Sequence, residues 1–86
     1  MELKMYALSD QAVECFNRPF CARSNGEAIR SLADELNRGD NPMALHPEDY
    51  VLYFIGVFDD DTGVITATET PMVLQRCADL IIKEEE

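Results

Sequence analysis

With 86 residues, 47% of them apolar and 28% charged, the chain has the size of one small domain and too much apolar character for a disordered one. Seven lysines and arginines against 17 acids give a formal charge of -10, which excludes binding nucleic acid through a basic field spread over the whole surface. There is no run of 18 apolar residues and MELKMYALSD has no apolar h-region or cleavage site, so neither a membrane span nor a secretory signal is expected.

Leu3 to Leu8 reads as a first strand, with Leu3, Met5 and Ala7 alternating with Lys4, Tyr6 and Leu8. Ser9 to Pro19 reads as a loop punctuated by Asn17-Arg18-Pro19, and Phe20 to Arg23 as a short extended lead into a helix. Ser24 and Glu27 have the spacing of a capping box, so the helix should start at Asn25. Ala28, Ile29, Leu32, Ala33 and Leu36 form its apolar stripe, and Arg38 with Gly39 marks its end.

Asp40 to Tyr50, with two prolines, reads as a loop, and Val51 to Phe58 (VLYFIGVF) as a strand covered on both sides. Asp59 to Gly63 then turns the chain into a strand over Val64 to Glu69. Thr70-Pro71 has the form of an N-cap and first helical residue, with Val73, Leu74, Cys77, Leu80 and Ile81 on one face of a closing helix. The expected fold is α+β, with a small, mainly antiparallel sheet in β-α-β-β order, one long helix across it and a C-terminal helix or helical turn. A single domain over residues 1–86 is expected, with 84–86 as an acidic tail. The two-sided apolar strand and the small size point to a homodimer.

No catalytic constellation emerges. His46 is the only histidine and no nucleophile motif accompanies it, nor is there a P-loop, GxGxxG or H-E-x-x-H, so no enzyme is expected. The run Asp59 to Gly63 opens like a calcium loop, but Thr70 stands where the twelfth-position glutamate belongs. It is therefore read as a hairpin, and neither a metal nor a cofactor is expected. Cys15, Cys21 and Cys77 fit neither a disulfide framework nor a zinc motif and are read as reduced thiols of a cytosolic protein. Tyr50, Tyr53, Phe54 and Phe58 are assigned to core packing, with a stacking platform for single-stranded nucleic acid as the alternative.

The basic residues are unevenly placed. From Arg18 to Arg38 there are four arginines and three acids, net +1, whereas the other 65 residues carry three basic and fourteen acidic groups, net -11. On the helix, Arg23, Glu27, Arg30, Asp34 and Arg38 share the side away from the apolar stripe. Pairs Glu27–Arg30, Arg30–Asp34 and Asp34–Arg38 would make a self-neutralising ladder. Its N-terminal end stays open, where the backbone N–H groups of Ser24, Asn25 and Gly26 meet Arg23 and Arg18; that is the candidate position for one phosphate.

The segments PFCARSNGEAIRSLADELN, HPEDYVLYFIGVFDDDTG and ETP resemble, in order, the small non-structural protein of gokushovirus-type Microviridae, the tailless single-stranded DNA phages. The resemblance runs from about Met5 to Ala78, and Arg23, Gly26, Glu27, Arg30, His46, Asp49, Gly56 and Gly63 match its pattern. It implies a non-capsid phage protein of the host cytoplasm, associated with DNA binding and with the switch from genome replication to packaging of single strands. It supplies no catalytic residues. Two readings follow. In one, Arg18, Arg23, Ser24, Gly26 and Arg30, with Lys4, touch single-stranded DNA. In the other, an acidic surface engages a basic viral or host protein, in the manner of a DNA mimic.

Overall fold

A computed structural model of the chain describes residues 1–81, so the expected acidic tail at 84–86 lies outside the described residues. Nine elements follow in order. They are strands β1 (Glu2–Asp10), β2 (Cys15–Phe16) and β3 (Phe20–Ala22), helices α1 (Asn25–Arg38) and α2 (Pro42–Leu45), and a 3-10 turn at Pro47–Asp49. Strands β4 (Tyr50–Asp59) and β5 (Ile65–Arg76) come next, and a 3-10 turn at Cys77–Leu80 is the last element among the described residues. The fold is α+β, with an antiparallel five-stranded sheet and one main helix, as expected.

The sheet order is β2-β1-β4-β5, with β3 also paired to β1. β4 pairs with the whole length of β1, from Glu2–Asp59 to Asp10–Tyr50. A strand has two edges, so β2 and β3 must share the other one, β2 at Ser9–Asp10 and β3 at Lys4–Tyr6. β3 and β4 are both antiparallel to β1, hence parallel to each other, and α1 carries the chain over β1 between them.

Local chemistry sets the helix. The Ser24 hydroxyl accepts the Glu27 N–H at 3.1 Å, and Gly39 closes the C-terminus at φ 79°. Ala28, Leu32 and Leu36 are buried against Tyr6, Leu8, Leu52 and Cys77, and Ile29 packs at the margin. Full burial of each leucine contributes about 1.5–3 kcal/mol. The Tyr6 hydroxyl donates to the Asn25 side-chain carbonyl at 2.7 Å, tying the first helical residue to the middle of the sheet. At the other end the Asn41 amide donates to the Glu35 carbonyl at 2.7 Å, while its carbonyl accepts the Ala44 N–H and caps α2.

Three expectations need correction. The Ser9–Pro19 loop contains strand: β1 continues to Asp10, turns with Glu14 at φ 58°, and returns as β2. The Asp40–Tyr50 loop contains α2 and a 3-10 turn, in which the His46 N–H donates to the Pro42 carbonyl at 2.9 Å. Most consequential, Thr70-Pro71 does not open a helix. β5 runs through both residues, and the expected C-terminal helical element shrinks to the turn Cys77–Leu80.

The reason lies in the register. Pairing jumps from Phe54–Met72 to Gly56–Ala67, so residues 68–71 bulge opposite Ile55 alone. The Thr68 hydroxyl lies 3.2 Å from the Ile55 carbonyl and 2.8 Å from that of Thr70, which folds the bulge onto β4. An edge strand at a bulge tolerates a residue with no N–H, so Pro71 interrupts no ladder bond that β4 needs.

Candidate interaction surface

The N-terminus of α1 is closed. The Glu27 carboxylate accepts the Arg23 backbone N–H at 3.1 Å and the Arg23 Nε–H at 3.2 Å, and lies 3.2 Å from Nη2. The box is thus displaced by one residue, with Ser24 capping Glu27 and Glu27 reaching back to Arg23 instead of Ser24. An internal anion already sits at the positive end of the helix dipole and holds the arginine that was to greet a phosphate.

The expected ladder does not form in the expected pairs. Arg23 pairs with Glu27, and Arg38 pairs with Glu35 at 3.0 Å and reaches Asp40 at 3.9 Å. An exposed helix pair contributes only about 0.3–0.5 kcal/mol, so small advantages choose among alternatives. The extra N–H of Arg23 gives Glu27 such an advantage. Arg18 and Arg30 are exposed and make no ion pair among the described residues. Gly26 is exposed, and the nearest atom to a side chain built there is the Ser24 hydroxyl at 3.9 Å, so close backbone approach does not require a glycine.

Two acidic clusters have ligand atoms within 4.8 Å of one another, His46 with Glu48 and Asp49, and Asp59 with Asp60 and Asp61. The second surrounds the Met1 ammonium, 2.6 Å from Asp61 and 2.9 Å from Asp60. The aspartates also build the hairpin: the Asp59 carboxylate accepts the Asp61 N–H at 2.9 Å, and Gly63 turns at φ 79°. Cys15 and Cys21 are exposed free thiols, whereas burial pushes the Cys77 thiol up to about 11. Cys77 is a core side chain.

The sheet has a second face, opposite α1. Cross-strand partners share a face, so the register defines its rows. Leu3, Phe58 and Ile65 form the first, and Met5 with Cys21, Gly56 and Ala67 the second. Ala7, Tyr53 and Val73 form the third, and Ser9 lies between Phe16 and Val51 in the last, which ends at Arg76. The Phe16 and Tyr53 rings meet edge to face at 5.2 Å and 63°. Among the described residues no helix covers these rows. The four β4 aromatics assigned to core packing on a strand covered on both sides therefore divide: Tyr50 and Phe54 pack under α1, while Tyr53 and Phe58 lie on the bare face.

The family described as Phage ORF5 protein matches residues 3–80 of the chain. The chain belongs to the phage ORF5 protein family. No curated protein and no solved structure shows a significant match. The match spans every described strand of this ORF5-family protein but the first residue of β1, and includes both the closed helix start and the bare face.

The closed helix start has a measurable pH signature. The Arg23 backbone N–H, and then the Arg23 charge, hold the Glu27 carboxyl below its ordinary 4.5. Its folded-state value is depressed, so its contribution to stability is complete above 4.5 and is lost as pH falls through the lowered value. Glu27→Gln should flatten that part of the acid limb of the stability–pH curve and lower stability at neutral pH. Denaturant unfolding at several pH values checks this.

Proposed function

We propose that this ORF5-family protein is a non-enzymatic accessory protein of a gokushovirus-type phage that works in the host cytoplasm through protein contact. Its task in single-stranded DNA replication or packaging is then to engage a basic protein, without gripping DNA phosphates itself. The observation that carries this reading is the Glu27 carboxylate, which occupies the helix N-terminus and ties up Arg23. The ordered motifs from PFCARSNGEA to FDDDTG support the gokushovirus-type origin.

Magnitude also favours a protein partner. Arg18 and Arg30, the unpaired arginines of the candidate site, would neutralise two phosphates between them. That corresponds to a log–log salt slope of only about -1.4 on a single strand, against 6–10 phosphate contacts in a dedicated DNA binder. Apart from these two arginines the chain carries a formal charge of -12, the whole-chain -10 less their +2, which repels DNA and attracts basic peptides.

Two titrations at low salt test the reading, one with labelled oligothymidylate and one with the basic DNA-binding peptide of the same phage. Salt-sensitive uptake of the peptide, competed by the phage single strand, is expected, with no saturable binding of oligothymidylate. Saturable DNA binding that is lost in Arg18→Ala/Arg30→Ala, with no uptake of the peptide, would restore the DNA-binding reading.

A further inference from the structure

We propose that the bare face of the sheet is a self-association surface, on which a second copy of the chain packs face to face. This goes beyond the proposed function and does not depend on it. Its first support is the pattern of polarity at the hairpin end of the sheet. There, on the α1 side, Glu2, Lys4 and Thr66 are exposed and polar and Asp59 is charged, with Val57 and Ala22 the apolar members of those rows. On the opposite side of the same strands Leu3, Phe58 and Ile65 are apolar. A one-sided sheet normally turns its apolar residues to the covered face and its polar ones to water. Here the helix-free side is the more apolar one, and among the described residues no helix covers it, which points to cover from another molecule.

Charge selects the occupant. Arg76 is the only charged side chain in the four rows, in a chain of formal charge -10. A nucleic acid or an anionic headgroup finds almost nothing there to hold. Two copies of an acidic chain repel across most approaches, and a face whose paired rows carry no carboxylate is where they can meet with least of that cost.

Size fits as well. Strands about 4.8 Å apart and some 25 Å of their length give on the order of 500 Å² in plan. Buried on both copies and before side-chain relief is added, this reaches the about 1,000 Å² that a specific interface needs. The edge-to-face pair Phe16–Tyr53 supplies a rigid aromatic anchor of the kind that dominates such contacts. Pairing along the free edge of β5 is the competing way to join two copies, and the 68–71 bulge with Pro71 breaks that edge. Stacked sheets about 10 Å apart in an isologous dimer are the arrangement that remains.

Sedimentation equilibrium between 1 and 100 µM tests the proposal on the intact chain, at protein concentrations set by the experiment. A species of twice the 9.7 kDa chain mass is expected. Val73 and Ile65 are 63% and 59% exposed, so charges there leave the fold intact. Val73→Glu and Ile65→Glu should each weaken the dimer at least 100-fold with an unchanged circular dichroism spectrum. Leu45→Glu, at a 65% exposed position away from the sheet, should leave it unchanged. A wild-type monomer throughout, or a dimer indifferent to both face variants, overturns the proposal. So does a monomer whose Tyr53 region binds oligothymidylate, which would make the face a stacking platform.

Discussion

Leu52→Ala should destabilise the protein by about 2–5 kcal/mol, the range for emptying a fully buried leucine site. Leu52 is completely buried at the centre of β4, opposite Leu8 on one side and Gln75 on the other. It packs in the cluster where Tyr6, Leu32 and Leu36 meet, so both the sheet and α1 lose contacts when it is truncated. Small domains have stabilities near the low end of about 5–15 kcal/mol, so one such loss removes most of the margin. Urea titration should show the midpoint collapsing with the slope unchanged. A control at Leu45, largely exposed, should move it by less than about 0.5 kcal/mol. A Leu52→Ala midpoint equal to wild type would mean that this cluster is not the core.

Gly56→Ala should cost about 1–3 kcal/mol, by overpacking and not by loss of contacts. A side-chain carbon at position 56 would stand 2.6 Å from the Thr66 carbonyl oxygen and 3.1 Å from the Ala67 α-carbon. Both are backbone atoms of β5, so no rotamer change relieves the clash; the strands must part. Gly56 adjoins the register shift opposite 68–71, and the close approach of β4 and β5 there holds the bulge in place. Amide exchange should therefore accelerate first along Ile65–Met72, with α1 affected least. Uniform acceleration across the domain, or none, would contradict this account.

Where the physics is local, the chain by itself was decisive. The bounds of α1 depend on Ser24, Glu27 and Gly39 acting within four residues of their partners, and the structure places them as read. The hairpin at Asp59–Gly63 is equally local, since an aspartate cap and a glycine at positive φ complete it. The phage family was legible for the same reason, because its motifs are contiguous stretches over these local elements.

What the chain alone left undecided depends on partners distant in sequence. Thr70-Pro71 has the form of a helix start, and only the register against β4 makes it a bulge in an edge strand. The apolar run Val51–Phe58 shows that both sides of a strand are apolar, but not which of them α1 covers. The candidate site is the exception, because its partners are near in sequence: the arginines were visible as a cluster, but several acids lay within reach, and one backbone N–H reaching one carboxylate settles the choice of Glu27 by Arg23. Periodicity reports the polarity of a face. Which face meets a helix, and which is left to meet another molecule, follows from the path of the chain between β3 and β4 and was decided by the tertiary structure.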